Sequence, residues 1–297
     1  MKLTLGTNCG FAINRYAEPE SWGSIVGNLG LRSVQFTADL LNPFLPDDYI
    51  DAQVKRIRET AGRNGFAVDS IFTSAYTRVN HLTHPDAEAR AIWLNWFKRL
   101  FKIGADLGAK TGGSHFGILT FDTINDADKR KFIIEAGVKG WQELTRCAEG
   151  LGYEAVIIEP MSVPREFANT VAETRELLDM VNADCGVPMK VCLDIGHAPH
   201  PDERDPYPWL LALGNVSPVV HLQQTLLGKS MHWPFTPEYN EQGHIQAEKV
   251  IDCLERSGCE EALLCFELSH REHWDTDGRV VADHRASVDY WRQFVKD

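Results

Sequence analysis

The feature that most constrains this chain is a recurring order: an amphipathic stretch, a glycine, then a short apolar run rich in β-branched residues. Leu29-Gly30, Asn64-Gly65, Leu107-Gly108, Leu151-Gly152 and Ser257-Gly258 each close a helical pattern, and the next strand candidate follows within a few residues. Glycine just past a helix adopts the left-handed backbone that ends it without steric cost. Repeated along a chain, this order marks βα units and a parallel sheet. The strand candidates are Leu3–Asn8, Ser33–Thr37, Ala67–Ser74, Lys110–His115, Ala155–Glu159, Met189–Asp194, Val219–Gln223 and Leu263–Leu268. Runs such as Val156-Ile157-Ile158 lack alternation, as parallel strands covered on both faces should. Helical patterns lie between them at Asp47–Asn64, Ala87–Leu107, Ile133–Glu149, Val171–Asn182, Trp209–Leu213 and Ala247–Ser257, with Asp283–Val295 as a closing helix. In the second, Ile92, Trp93, Trp96, Phe97, Leu100 and Ile103 recur at helical spacing and read as a core face. Eight such units predict an α/β fold, a (β/α)8 TIM barrel forming one domain over residues 1–297. An open doubly wound sheet is the alternative, but no G-x-G-x-x-G follows any strand.

Composition narrows the partners. With 30 Lys and Arg against 42 Asp and Glu, the formal charge is −12. Duplex nucleic acid draws most protein affinity from cations that neutralise phosphates, so this balance argues against it. It argues equally against an anionic membrane surface. Met1–Asn8 lacks the apolar core of a signal peptide, and no window offers the roughly 18 apolar residues of a membrane span. The seven cysteines form an odd set without a C-x-x-C pair, which points to a reducing, cytoplasmic setting. A homo-oligomer is compatible with all of this.

Chemistry is written at the strand ends. The fifth strand ends in Ile157-Ile158-Glu159-Pro160, the sixth in Cys192-Leu193-Asp194-Ile195-Gly196-His197, and the eighth in Cys265-Phe266-Glu267-Leu268. One acid in such a place is ordinarily a helix cap or a loop ion pair. Three at matching positions bring three carboxylates to one rim, which is unfavourable unless a cation sits among them. A hard divalent cation with oxygen ligands meets that need. The seventh strand, Val219-Val220-His221-Leu222-Gln223-Gln224, carries His221 and Gln223 on one face by period-two alternation, with Gln223 at the rim. His197 turns toward the mouth and reads as a substrate contact. His115 follows the glycine-rich Thr111-Gly112-Gly113-Ser114, where a ligand can approach the backbone. Leu226–Tyr239, with Lys229, His232, Trp233 and Phe235, reads either as a lid whose exposed aromatics cover a polyol or as a loop packed on a second subunit.

This strand-end set resembles the sugar isomerase and epimerase group of xylose isomerase-like TIM barrels, notably the ketose 3-epimerases. The resemblance extends over almost the whole chain in element order. It implies one Mn²⁺, Mg²⁺ or Co²⁺ ion, held by acids on strands five, six and eight and by a histidine on strand seven. Carried over, the ligands are Glu159, Asp194 and Glu267, with Gln223 at the histidine position and His221 left to bind substrate. The family's substrate histidine falls on His197, and its lid arginine, six residues past the strand-seven ligand, on Lys229. Its second substrate-contacting glutamate has Arg165 and Glu166 as nearest candidates. The implied chemistry is proton abstraction beside a carbonyl, with the metal stabilising an enediolate and Glu159 and Glu267 as the acid–base pair. Return of the proton to the opposite face epimerises; return to the adjacent carbon isomerises. The substrate is then a small sugar or sugar phosphate, tetrose, tetrulose or pentose, and Lys229, His232 and Arg165 have the chemistry for a phosphate. Rival readings are an endonuclease IV-like phosphodiesterase, a dehydratase of the same fold and an inert sugar-binding barrel. Only Gln223 favours the last.

Overall fold

A computed structural model describes residues 1–73, 77–161, 163–197, 202–271 and 278–295. Eight parallel strands close into a barrel in chain order, β1 (Lys2–Asn8), β2 (Ser33–Thr37), β3 (Ala67–Phe72), β4 (Thr111–Ser114), β5 (Ala155–Ile158), β6 (Met189–Asp194), β7 (Val219–Leu222) and β8 (Glu261–Phe266), with β8 pairing back onto β1. The helices between them are α1 (Pro19–Asn28), α2 (Asp47–Asn64), α3 (Ala87–Leu107), α4 (Phe121–Ile124), α5 (Ala127–Gly150), α6 (Val171–Asn182), α7 (Pro206–Leu213), α8 (Pro237–Gln242), α9 (Ala247–Arg256) and α10 (Arg279–Trp291). Closure disposes of the open-sheet alternative. Among the described residues no helix is long and apolar enough to cross a membrane.

Local chemistry explains the boundaries. Asp86, Asp126 and Thr170 accept hydrogen bonds from the first-turn amides of α3, α5 and α6. Gly30, Gly65, Gly108, Gly152 and Gly258, the five glycines of the repeat, all take positive φ between 68° and 102°. Two short helices, α4 and α8, and the glycine-bearing α1 have no counterpart in the sequence reading. Ile92 is 52% exposed, so it lies outside the core face of α3 that Trp96, Phe97, Leu100 and Ile103 form.

Two apolar layers follow from strand alternation. On β5, Val156 and Ile158 belong to the layer between strands and helices, whereas Ile157 belongs to a separate cluster with Phe72, Cys192, Val219, Leu263 and Cys265. That second cluster fills the barrel interior, as in other closed eight-stranded sheets. Glu159, Asp194, His221 and Glu267 each stand two residues beyond one of its members, on the same inward parity. The plug of the barrel is thus the floor beneath the polar residues.

Gly113 shows how tightly the wall is built. It pairs with Ile157, and a Cβ at this position would overlap the Ile157 carbonyl oxygen. Gly113→Ala is therefore expected to lower unfolding free energy by about 1–3 kcal/mol through overpacking. Gly62, within α2, has open space around it, and Gly62→Ala is expected to raise stability by about 0.5–1 kcal/mol. Denaturant midpoints of the two variants check the contrast, and equal shifts would discredit the packing account.

Candidate active site and metal centre

At the C-terminal mouth of the barrel, acceptor and donor atoms of Glu159, Asp194, His221 and Glu267 all lie within 4.8 Å of one another. Each comes from a different one of the four strands β5 to β8 or from the residue just beyond. Register accounts for the imidazole, since His221 pairs directly with Asp194 across β6 and β7. His221 Nδ1 is 2.8 Å from Glu159 Oε1 and 3.1 Å from Glu267 Oε2. On its other edge, His221 Nε2 donates to Gln35 Oε1 at 2.8 Å, and Gln35 Oε1 also accepts from Asn8 Nδ2 at 2.8 Å. The Asn8–Gln35 pair fixes the ring so that Nδ1 faces the carboxylates.

Charge in this cluster is unbalanced. Burial pushes the Glu159 and Asp194 carboxyls up, against the pull of nearby histidines. Burial would raise Glu267 too, but the adjacent His221 holds it well below the usual carboxylate range. For His221 burial works downward, yet Cys192, Glu267 and Glu159 hold it well above the usual imidazole range. Asp194 Oδ2 is buried and accepts no hydrogen bond. Three carboxylates, one imidazole and an unsatisfied oxygen form a donor set that a divalent ion fits, at ligand distances of about 2.0–2.6 Å. Such an ion would take the place of the Nδ1 proton of His221.

Gln223, expected among the metal ligands, is engaged at both ends of its amide. Its Nε2 donates to Asp194 Oδ1 at 2.8 Å, while its Oε1 accepts from the His232 amide at 2.6 Å. The amide oxygen of Gln223 is engaged by the backbone and its nitrogen by Asp194, while His221 is the strand-seven residue whose ring nitrogen lies among the three carboxylates. Gly196 permits this, since a Cβ there would run into the Gln223 amide. Leu227 stands six residues past His221, and Lys229 six past Gln223.

A cavity of about 470 Å³ opens above the cluster. Of the residues expected to contact substrate, His115, His197 and His232 line it. His197 Nδ1 lies 3.6 Å from Glu159 Oε1, and burial keeps its pKa down to about 4, so it faces the cavity as a neutral ring. Arg165 and Lys229 do not line it. The Arg165 guanidinium donates to the Leu119 carbonyl and lies 4.6 Å from the Phe121 ring centre, and Lys229 is exposed on the loop after β7. That loop is not a lid of exposed aromatics either. Phe235 is 1% exposed against Tyr290 and Trp291, and Trp233 stacks on Tyr239. His200 and His273 lie outside the described residues.

Several cavity residues escaped the sequence reading, among them Asn8, Arg15, Asp39 and Arg78. Only Asn8 and Gln35 carried a usable signal, as polar residues inside strand patterns. Glu166 was a weak candidate and proves 4% exposed, with Oε1 unsatisfied and 3.9 Å from His115 Nδ1. Burial pushes its pKa up to about 8 from 4.5. A carboxyl raised on folding contributes stability that is fully present below about 4.5 and is lost as pH rises through about 8. Thermal unfolding of the wild type should therefore fall across that window, and Glu166→Gln should flatten the fall. An unchanged pH profile in the variant would place the titration elsewhere.

Residues 25–293 match the family described as xylose isomerase-like TIM barrel. The chain belongs to that family. It is 35% identical over 301 residues to the D-erythrulose 1-phosphate 3-epimerase of Brucella abortus (strain 2308), covering 99% of this chain and 97% of that protein. With this relative stands the class of activity, a sugar isomerase or epimerase. Among solved structures, a Rhodospirillum rubrum protein taken for a xylose isomerase superposes with a TM-score of 0.89 at 24% identity, covering 98% and 99% of the two chains. The Clostridium cellulolyticum D-psicose 3-epimerase with D-tagatose gives 0.75 at 16% identity, covering 99% and 100%. At those identities the two structures support the fold alone.

Proposed function

We propose that this family member is a metal-dependent 3-epimerase of a short ketose phosphate of the tetrulose class. The observation that carries the reading is the cluster of Glu159, Asp194, His221 and Glu267, four candidate ligands from successive strands, of which Glu159 and Glu267 line the cavity. The Brucella relative, whose name specifies epimerisation of D-erythrulose 1-phosphate, supports the substrate class. A divalent ion held by these four residues would polarise the substrate carbonyl and offset the negative charge of the enediolate.

The chain's own residues then divide the work. Glu159, 5% exposed and fixed by His221, and Glu267, more open at the cavity wall, are the two carboxylates able to exchange a proton with carbon 3. One removes it and the other delivers a proton to the opposite face, which inverts the centre. Gln223 and Gln35 hold Asp194 and His221 in orientation. His197 presents a neutral ring to the substrate hydroxyls. Buried His115 closes the side of the cavity near β4, with Glu166 beside it. The inert-barrel alternative rested on Gln223 standing in for a histidine, and it loses that support once His221 occupies the cluster.

The test is a panel of free and phosphorylated four- to six-carbon ketoses and aldoses with Mn²⁺, followed by NMR in D₂O. Deuterium should enter at carbon 3 of a ketotetrose phosphate as its epimer forms. Label appearing only at carbon 1 or 2, with aldose as product, would make the enzyme an isomerase instead.

A further inference from the structure

Two residues lining the described cavity carry a permanent positive charge, Arg15 and Arg78. Arg15 belongs to the loop after β1 and is tied to the loop after β8, donating to the His270 carbonyl at 2.6 Å. Arg78, in the loop after β3, is half-buried, and among the described residues its guanidinium has no hydrogen-bond acceptor and no carboxylate at ion-pair distance. Its charge nonetheless acts on the cavity side of β4 and β5, adding to the burial that depresses His115 and pulling against the burial of Glu166. Glu166 is the acid best placed to neutralise it, but burial keeps that carboxyl largely protonated at neutral pH.

A half-buried guanidinium facing a cavity with no anion in reach is only partly compensated by water, and it suits a ligand that brings the anion. Hydroxyl groups of a free sugar would leave the charge uncompensated. A phosphoryl dianion matches it in sign and in geometry, since the planar fork donates two parallel hydrogen bonds to phosphate oxygens. We propose that Arg78 is the specificity-determining cation of this enzyme, binding the phosphoryl group of the substrate from the cavity wall after β3 while the reacting carbons lie over the β5–β8 cluster. The inference rests on the ketose-phosphate reading given above and adds the residue that enforces it. Arg78 takes the role for which the sequence suggests Lys229 and Arg165, neither of which lines the cavity.

The experiment compares kcat/KM for a ketotetrose 1-phosphate with that for the free ketotetrose, in the metal-loaded wild type and in Arg78→Met. Inhibition by inorganic phosphate is measured beside it. A charge-assisted contact of this kind corresponds to roughly a 10- to 100-fold effect. The expected result is that the phosphorylated-to-free ratio falls by about that factor and that phosphate inhibits Arg78→Met correspondingly less. If both substrates decline alike and phosphate inhibits as before, the assignment of Arg78 is overturned while the ketose-phosphate reading stands. If the wild type itself prefers the free ketose, that reading fails and the inference with it. Should Arg78→Met not fold, Arg78→Lys keeps the charge without the fork and should lower the ratio several-fold. An undiminished ratio in that variant overturns the proposal.

Discussion

Glu159→Gln and Glu267→Gln are each expected to reduce turnover by roughly 10²–10⁴-fold, the range of a positioned acid or base. Both substitutions keep an oxygen where a cation would bind and remove the group that moves the proton. His197→Asn should cost far less, because His197 is held neutral in the cavity wall and leaves both carboxylates in place. The two glutamates are not equivalent. Glu159 is nearly closed off, whereas the Glu267 side chain is 28% exposed. Exchange of the substrate C–H in D₂O, read beside net conversion, separates them. A variant that still exchanges but no longer inverts has lost only the returning acid. Wild-type exchange and conversion in Glu267→Gln, with both abolished in His197→Asn, would transfer the proton chemistry to His197.

Chelation is expected to produce a loss of comparable size, reversed by Mn²⁺, Mg²⁺ or Co²⁺. Within that experiment His221 and Gln223 should behave differently. His221→Ala removes one of four converging donor groups and should abolish stoichiometric metal. Gln223→Ala removes the hydrogen bond that steadies Asp194 and the acceptor of the His232 amide; support of a ligand of this kind is worth about 10- to 100-fold in metal affinity or activity. Elemental analysis after dialysis, with calorimetric titration of the ion, provides the comparison. Full activity in a verified metal-free sample would remove the ion from the reaction. Metal lost by Gln223→Ala and kept by His221→Ala would reinstate Gln223 as the ligand.

Much of the barrel was legible because its local signals agree with one another. Helix ends carry glycine, helix starts carry Asp or Thr, and buried strands are apolar throughout. Ser33–Thr37, Met189–Asp194, Asp47–Asn64, Ala87–Leu107 and Val171–Asn182 emerge with the bounds read from sequence. The first helix, Pro19–Asn28, was hidden because Gly23 and Gly27 dilute its helical pattern; Gly23 is needed where Thr60 packs close. The acids of the site were legible because each ends an apolar run. On β7 the sequence offers two candidates, His221 and Gln223. Strands in a closed barrel tilt and stagger, so the residue nearest the strand end is not always the one level with the neighbouring ligand. Register pairs His221 with Asp194, two residues short of Gln223. Arg78 was illegible for a different reason, since a cation on a loop has no periodicity to betray which way it faces.

The loop after β7 departs and returns through a backbone clasp. Gln224 and Trp233 exchange both backbone hydrogen bonds, at 2.8 and 3.0 Å, and the Gln224 side chain is held by Asn240 and Ile245. Between those feet, Leu226, Leu227, Gly228 and Lys229 stand exposed, and the turn is internally braced by Thr225 Oγ1 on the Lys229 carbonyl. Lengthening a surface excursion whose ends are already joined adds little closure entropy, about 0.6 kcal/mol per doubling. Lineages can therefore insert, delete or exchange residues in this excursion while Asp194 and His221 stay in register. The excursion is thus a natural graft point, separated by its clasp from the residues that hold the cluster.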